Sequence, residues 1–395
     1  MKLILILFIF FIIFEILIFN LVIKHKINFK WIINFDDEYP KFNENNLKKF
    51  YQNSFDKDLG WDRKNNTSGI EQSNKKSKFK ISSEGFRGKK IFKNKSISVF
   101  GDSFAFCRYV NDNETWEFFL EKKLQKHILN FGVGNYGLDQ SFLKYLKYKR
   151  KIKDDIIIFN VVPETIARIN SYWKHYREFG NIHAFKPIIQ IKNGKLKIIK
   201  IKIKKYFNEK KIYYLIKSIK KKDIFYNEKF KKNIFKFPYT FQFLKNFKIY
   251  PLLLIYLSIS KIMNNKYFYN KAIKIVLTNN ISESHLMYKK KLFKKRLTDL
   301  IGYMNDFFVK NKKKMVLIIT PQLLDLDGKN LKYSINYYNN LNRKINCIDL
   351  TTDIQNIKNY KKLYLKDIYG GHLNKGGNKV ISNIIFKKLK DQKLI

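Results

Sequence analysis

The chain has 395 residues, enough for one large α/β domain carrying an insertion or for two ordinary domains. Its formal net charge of +48 comes with a surplus of Lys, Asn, Ile, Phe and Tyr and a shortage of Ala, Gly and Pro, as an AT-rich coding sequence would impose. The lysines are spread rather than striped and arginines are few, so charge makes no case for nucleic acid, and none is expected as a partner. Two cysteines, Cys107 and Cys347, exclude a disulfide framework and a zinc pattern.

In chain order, the first element is the apolar run Leu3–Ile23, about the length that spans a hydrocarbon core as a helix, with Glu15 its single acidic residue. No small-residue cleavage site follows, so residues 1–25 are expected to be an uncleaved, single-pass transmembrane signal anchor through which the chain meets the membrane. Lys2 precedes the span and Lys24, Lys26 and Lys30 follow it, which leans toward a cytoplasmic body. Residues 26–80 are polar and Asn/Lys-rich and read as a linker and irregular lead-in, and Ser82–Gly88 ("SSEGFRG") reads as a turn.

From residue 81 onward one domain is expected. Lys95–Gly101 predicts a buried strand, Asn113–Lys126 a helix with Asn113 as N-cap, Ile128–Val133 a strand, Leu138–Ile152 a helix and Asp154–Val162 a strand. Continuous apolar strands alternating with helices predict a parallel sheet covered on both faces. The rhythm breaks over about 171–285, read as an insertion, where Pro187–Lys204 predicts a hairpin turning at Asn193-Gly194. The aromatic-rich stretch Ser171–Asn181 within it reads either as a cap shaping a glycan site or as a satellite core. The rhythm resumes with a helix near Glu283–Lys310, strands Lys314–Thr320 and Ile345–Leu350, and a helix Asn378–Lys390.

Against this composition, glycine is informative. Of the 16 glycines, eight fall in three short stretches, which directs attention there. The first, "SVFGDSF", puts Ser103 just past a strand, where a side chain either caps the next helix or attacks a substrate. The second, "NFGVGNYGLDQ" (Asn130–Gln140), allows a tight turn with exposed N–H groups and is neither a P-loop nor a dinucleotide fingerprint. The third, "KDIYGGHLNKGGNKVI" (Lys366–Ile381), carries His372, the one histidine of six in a loop on the carboxyl edge of the predicted sheet. Nucleophile, oxyanion turn and base in one α/β domain form a serine-hydrolase constellation.

These three stretches, with "SSEGFRG" ahead of them, resemble the blocks of the SGNH (GDSL-type) serine hydrolase superfamily, over roughly residues 80–170 and 286–395. The match is with its membrane-anchored members that accompany bacterial surface-polysaccharide genes. The resemblance implies a three-layer α/β/α flavodoxin-like domain and a serine esterase or O-acyltransferase acting on O-acyl esters, acetyl first among them, of a surface polysaccharide or its precursor. It also implies an extracytoplasmic body and no metal or organic cofactor. Residue by residue, it makes Ser103 the nucleophile and an oxyanion donor, Gly134 the second donor and His372 the base. Two departures stand out. The family places Asp three residues before His, where this chain has Tyr369, and the nearest acid is Asp367. The family's Gly-x-Asn-Asp block is absent: the strand reads "IIIFNVVPETIAR", leaving Asn160 as the candidate third oxyanion donor, since Glu164 cannot donate when ionised. The alternative class is a non-catalytic, membrane-tethered glycan-assembly or glycan-binding protein with a degenerate site. A third, a polyanion-binding membrane protein, rests on charge alone.

Overall fold

The computed structural model describes residues 2–26, 42–73, 75–88, 96–178, 181–201, 209–367 and 371–395. Residues 27–41 of the predicted linker, Lys95 and the last three residues of the predicted hairpin lie outside the described residues.

Helix α1 (Lys2–Lys26) is long and apolar enough to cross a membrane: an 18-residue stretch within Lys2–Val22 has mean hydropathy 3.0 with 11% of it buried. A core helix of that length would be mostly buried, and this one is mostly exposed. It touches the rest of the chain through Ile18 and Val22, which join Leu253 and Leu257 in a small apolar cluster. Glu15, the one acid in the run, accepts from the backbone N–H groups of Tyr239 (2.5 Å) and Thr240 (2.7 Å). These open the helix Tyr239–Lys245 and have no partner within it, so a carboxylate satisfies two otherwise orphaned donors.

The expected irregular lead-in is instead ordered. Glu44–Asn53 is a helix, and Thr67–Gln72 and Lys76–Ile81 form an antiparallel hairpin. On its second strand, lysines alternate with the buried Ser77, Phe79 and Ile81, and Phe79 and Ile81 pack on Phe106. In a chain this rich in lysine, a period-two Lys pattern does not stand out from background.

Five strands follow: β1 (Ile97–Gly101), β2 (Ile128–Asn130), β3 (Ile156–Val161), β4 (Lys314–Ile319) and β5 (Cys347–Asp349). All pair in parallel, in the order β2-β1-β3-β4-β5, which is the flavodoxin-like order of a doubly wound sheet. Alternation along each strand divides the core in two. On one face Phe100, Phe159, Val161 and Leu317 pack with Phe142 of the helix Leu138–Tyr148 and with Leu297, Met304 and Phe308 of the helix Lys291–Lys310. On the other, Val99, Ile158, Val316 and Ile318 pack with Trp116 and Leu120 of the helix Trp116–Leu124 and with Ile381, Ile385 and Leu389 of the helix Lys375–Asp391. The result is a three-layer α/β/α arrangement.

Several boundaries differ from the sequence reading. Asn113 is not an N-cap: it sits in a 3₁₀ turn, and Thr115 caps Trp116–Leu124 by accepting from the Phe118 N–H at 3.1 Å. The predicted helix near Glu283–Lys310 is two helices, Lys266–Met287 and Lys291–Lys310. Tyr288, at the break, donates its hydroxyl to the Pro163 carbonyl at 2.6 Å. The hairpin forms as Ile188–Lys192 and Lys195–Ile199, with positive φ at Asn193 and Gly194, the geometry a two-residue turn of this hand requires.

Burial in the first sheet-packing helix sets a pH dependence. Glu117 is 2% exposed and accepts from the Cys107 thiol at 3.1 Å, and burial pushes its carboxyl up to about 8. A carboxyl raised on folding stabilises the fold fully below its unfolded value and loses that contribution as pH climbs toward the folded one. Stability is therefore expected to fall by about 4 kcal/mol between pH 5 and 8 through this group, and Glu117→Gln to remove that share of the slope. Urea midpoints at the two pH values check it, and equal slopes in wild type and variant would refute it.

Candidate active site

Ser103 opens a four-residue helix, Ser103–Phe106, directly beyond β1. Close approach of chain to chain holds this turn. A Cβ on Gly101 would stand 1.8 Å from the Asn160 carbonyl oxygen, and one on Gly132 would stand 2.2 Å from the Phe106 nitrogen. Only glycine lets the strand ends and the turn sit this tightly. The far end of the turn is held from the lead-in: the buried Arg87 guanidinium donates to the carbonyls of Phe106, Cys107 (2.8 Å) and Val110 (2.5 Å).

Asp102 is fully buried and does not face the cavity. Its carboxylate accepts from the N–H groups of Phe104 (2.8 Å) and Val162 (2.9 Å) and from Arg168 Nη1 (3.1 Å). Of the Gly-Asp-Ser triplet, the capping residue is thus Asp102, which leaves the Ser103 hydroxyl for another partner. That partner is His372: Nε2 lies 2.9 Å from Ser103 Oγ. On the other side of the ring, Nδ1 lies 2.9 Å from Asp367 Oδ2, which also accepts from the His372 backbone N–H at 2.7 Å. A carboxylate accepting at Nδ1 fixes the tautomer with the Nε2 lone pair toward the serine hydroxyl. Phe104 stacks on the imidazole with ring centroids 5.1 Å apart, and Tyr109 meets it edge-on.

The five-residue spacing of Asp367 and His372 is accommodated by the loop. Gly371 has φ +78°, and a Cβ there would meet Leu323 Cβ at 2.5 Å. Tyr369 and Gly370 lie outside the described residues.

Among the described residues, no protein acceptor takes the backbone N–H of Ser103 or of Gly134. Gly134 itself is open, with nothing within 4 Å of where a Cβ would lie. Asn160 does not line the cavity, although its buried Nδ2 has no partner among the described residues. It is fully buried within β3, and its Oδ1 accepts from Thr320 Oγ1 at 2.8 Å, because its register opposite Gly101 and Ile318 places it inside the sheet. One of the amides on the cavity wall is Gln322, just beyond β4, whose buried Nε2 has no partner among the described residues.

Gln322 is held by a second buried network. Asp325 accepts from the Gln322 backbone N–H at 2.7 Å and from His285 Nε2 at 2.8 Å, while His285 Nδ1 lies 2.9 Å from Ser334 Oγ. His285, Asp325 and Ser334 are all 1% exposed or less, so this Ser, His and Asp set is a clamp that no substrate reaches.

Ser103 and His372 lie on a cavity of about 470 Å³. Helix Lys266–Met287 contributes Tyr269, Ile273, Leu277, Asn280 and Ile281 to its wall, and the stretch Ser171–Asn181 contributes Lys174, Arg177, Glu178 and Asn181. The described aromatic residues of that stretch turn inward: Tyr172, Trp173 and Tyr176 are buried in the core, so it is their polar neighbours that meet the cavity. Sequence reasoning missed Gln322 and the cavity arginines. Both had a signal: Gln322 follows a strand's carboxyl end, and only eight of the 80 cationic residues are arginines, three of which (Arg108, Arg168, Arg177) line this cavity.

No protein-family model matches the sequence, and no curated protein sequence matches it. Among solved structures, the chain is similar to a protein assigned to the G-D-S-L family of lipolytic proteins from Desulfitobacterium hafniense DCB-2. Identity is 12% and the TM-score 0.35, over 75% of this chain and 100% of that one.

Proposed function

We propose that the chain is a membrane-tethered serine esterase or O-acyltransferase of SGNH type, acting on an O-acyl ester, acetyl first among them, of a surface polysaccharide or its precursor. The observation that carries this reading is the relay Ser103 Oγ, His372 Nε2, His372 Nδ1, Asp367 Oδ2, with both contacts at 2.9 Å, opening onto a cavity at the carboxyl edge of a parallel sheet. In the proposed reaction Ser103 Oγ attacks the ester carbonyl carbon as Nε2 takes its proton, and Asp367 stabilises the imidazolium. The N–H groups of Ser103 and Gly134 hold the oxyanion, with Gln322 Nε2 within the same cavity as a further donor. Collapse breaks the ester C–O bond, and the leaving alkoxide takes the proton from Nε2. Water or a sugar hydroxyl then attacks the acyl-serine with His372 as base, which gives hydrolysis or transfer.

Acetate release from an O-acetylated glucan by the full-length, detergent-solubilised chain tests this. Release that depends on Ser103 is the expected result. Release that persists in Ser103→Ala, or neither release nor transfer to an added sugar from any acetyl ester, would overturn it.

A further inference from the structure

We propose that Arg177 is an anion-anchoring residue in the Ser103 cavity, so that the substrate carries a carboxylate or phosphate group as well as its ester. The inference deepens the esterase or transferase reading and, as to activity, rests on it.

Four cationic side chains (Arg108, Arg168, Lys174, Arg177) and two carboxylates (Glu164, Glu178) line the cavity. Three of the cations are engaged. Arg168 donates to Asp102 (3.1 Å), to the Tyr136 carbonyl (3.2 Å) and to Glu164 (2.9 Å). Lys174 pairs with Glu178 at 3.2 Å and donates to Asn181 Oδ1 at 2.9 Å. Arg108 lies 3.5 Å from Glu71 and over the Tyr109 ring.

Arg177 differs from all of these. Its side chain is 2% exposed, yet Nε, Nη1 and Nη2 all lack a hydrogen-bond partner among the described residues. Its nearest carboxylate oxygen is Glu164 Oε1 at 4.0 Å, and Glu164 is already bonded to Arg168. Burial pushes the guanidinium down from its ordinary value, with Glu164 acting against that, and an arginine side chain keeps its charge in proteins.

A buried, charged fork with every donor empty costs the free protein stability, and a planar oxyanion would match it two bonds at a time. Two bonds of this kind correspond to about 10²- to 10⁴-fold in affinity. The shared chemistry is a compact oxyanion, and its two sources are a hexuronate carboxylate and a phosphate ester.

The test uses the full-length, detergent-solubilised chain with three acetyl esters: O-acetyl glucose, O-acetyl glucuronate and O-acetyl glucose phosphate. Wild type is expected to prefer one of the two anionic esters over O-acetyl glucose by at least tenfold in kcat/KM, and which one identifies the source. Arg177→Gln is expected to abolish that preference through KM, and Arg177→Lys to keep part of it. Absence of preference in wild type, or preference retained in Arg177→Gln, would overturn the assignment.

Binding separates this from failure of the esterase reading. Calorimetric titration with glucuronate and with inorganic phosphate is expected to show one binding wild type at least tenfold tighter than Arg177→Gln, whether or not any ester is cleaved. If neither anion binds, the site does not exist as proposed. The ligand-free melting temperature gives a further readout: removing an unpartnered buried charge is expected to raise it in Arg177→Gln, whereas loss of a structural arginine would lower it.

Discussion

Replacing Ser103 or His372 by Ala is expected to lower kcat for acetate release by about 10⁵- to 10⁶-fold, and Asp367→Asn by about 10⁴-fold. The order follows from the geometry. Ser103 supplies the bond-forming oxygen, and Nε2, 2.9 Å away, is the acceptor for its proton. Asp367 acts one step back, through Nδ1 at 2.9 Å, so its loss misorients the ring and frees the wrong tautomer rather than removing the base. The double variant Ser103→Ala/His372→Ala is expected to be no worse than either single one, because the two side chains act as a unit. Additive losses would mean that they do not, and Asp367→Asn at wild-type rate would mean that the five-residue spacing leaves the acid outside the relay.

The second large effect is on stability and falls on the other acid of the site. Asp102→Ala is expected to cost about 3–5 kcal/mol, the range for breaking a buried charge pair by removal of one partner. Asp102 is fully buried, and its loss strands the Phe104 and Val162 N–H groups together with one bond of the Arg168 guanidinium. Burial alone would lower that guanidinium, but Glu164 and Asp102 outweigh it and raise it, so the charge remains to be accommodated. Asp367→Asn is expected to lose much less stability while losing most of the rate. Urea midpoints alongside kcat for the two variants separate the roles, and similar destabilisation in both would contradict them.

Much of the frame was legible because its strands carry continuous apolar runs, such as residues 315–319, whose two faces are both buried. The glycines retained against composition marked places of close chain approach: Gly101 and Gly132 are positions where a Cβ would collide with backbone. Legibility ended where function depends on how a loop folds back. Spacing shows that Asp367 lies five residues before His372, but not that, with a positive φ at Gly371, carboxylate and ring come within hydrogen-bonding distance. It likewise cannot show which face of β3 an amide occupies. Asn160 sits at a promising place in the sequence yet is tied to Thr320 inside the sheet, while Gln322, two residues past Thr320, lies on the cavity wall. Arg177 was hidden by the lysine excess, although its being arginine was the signal.

The most direct measurement exposes the full-length, detergent-solubilised chain to a fluorophosphonate serine probe and follows it by intact mass and peptide mapping. The account predicts a single adduct, on Ser103, that His372→Ala slows by orders of magnitude. An unmodified, folded chain, or an adduct on another serine, would contradict the claim that Ser103 is an activated nucleophile.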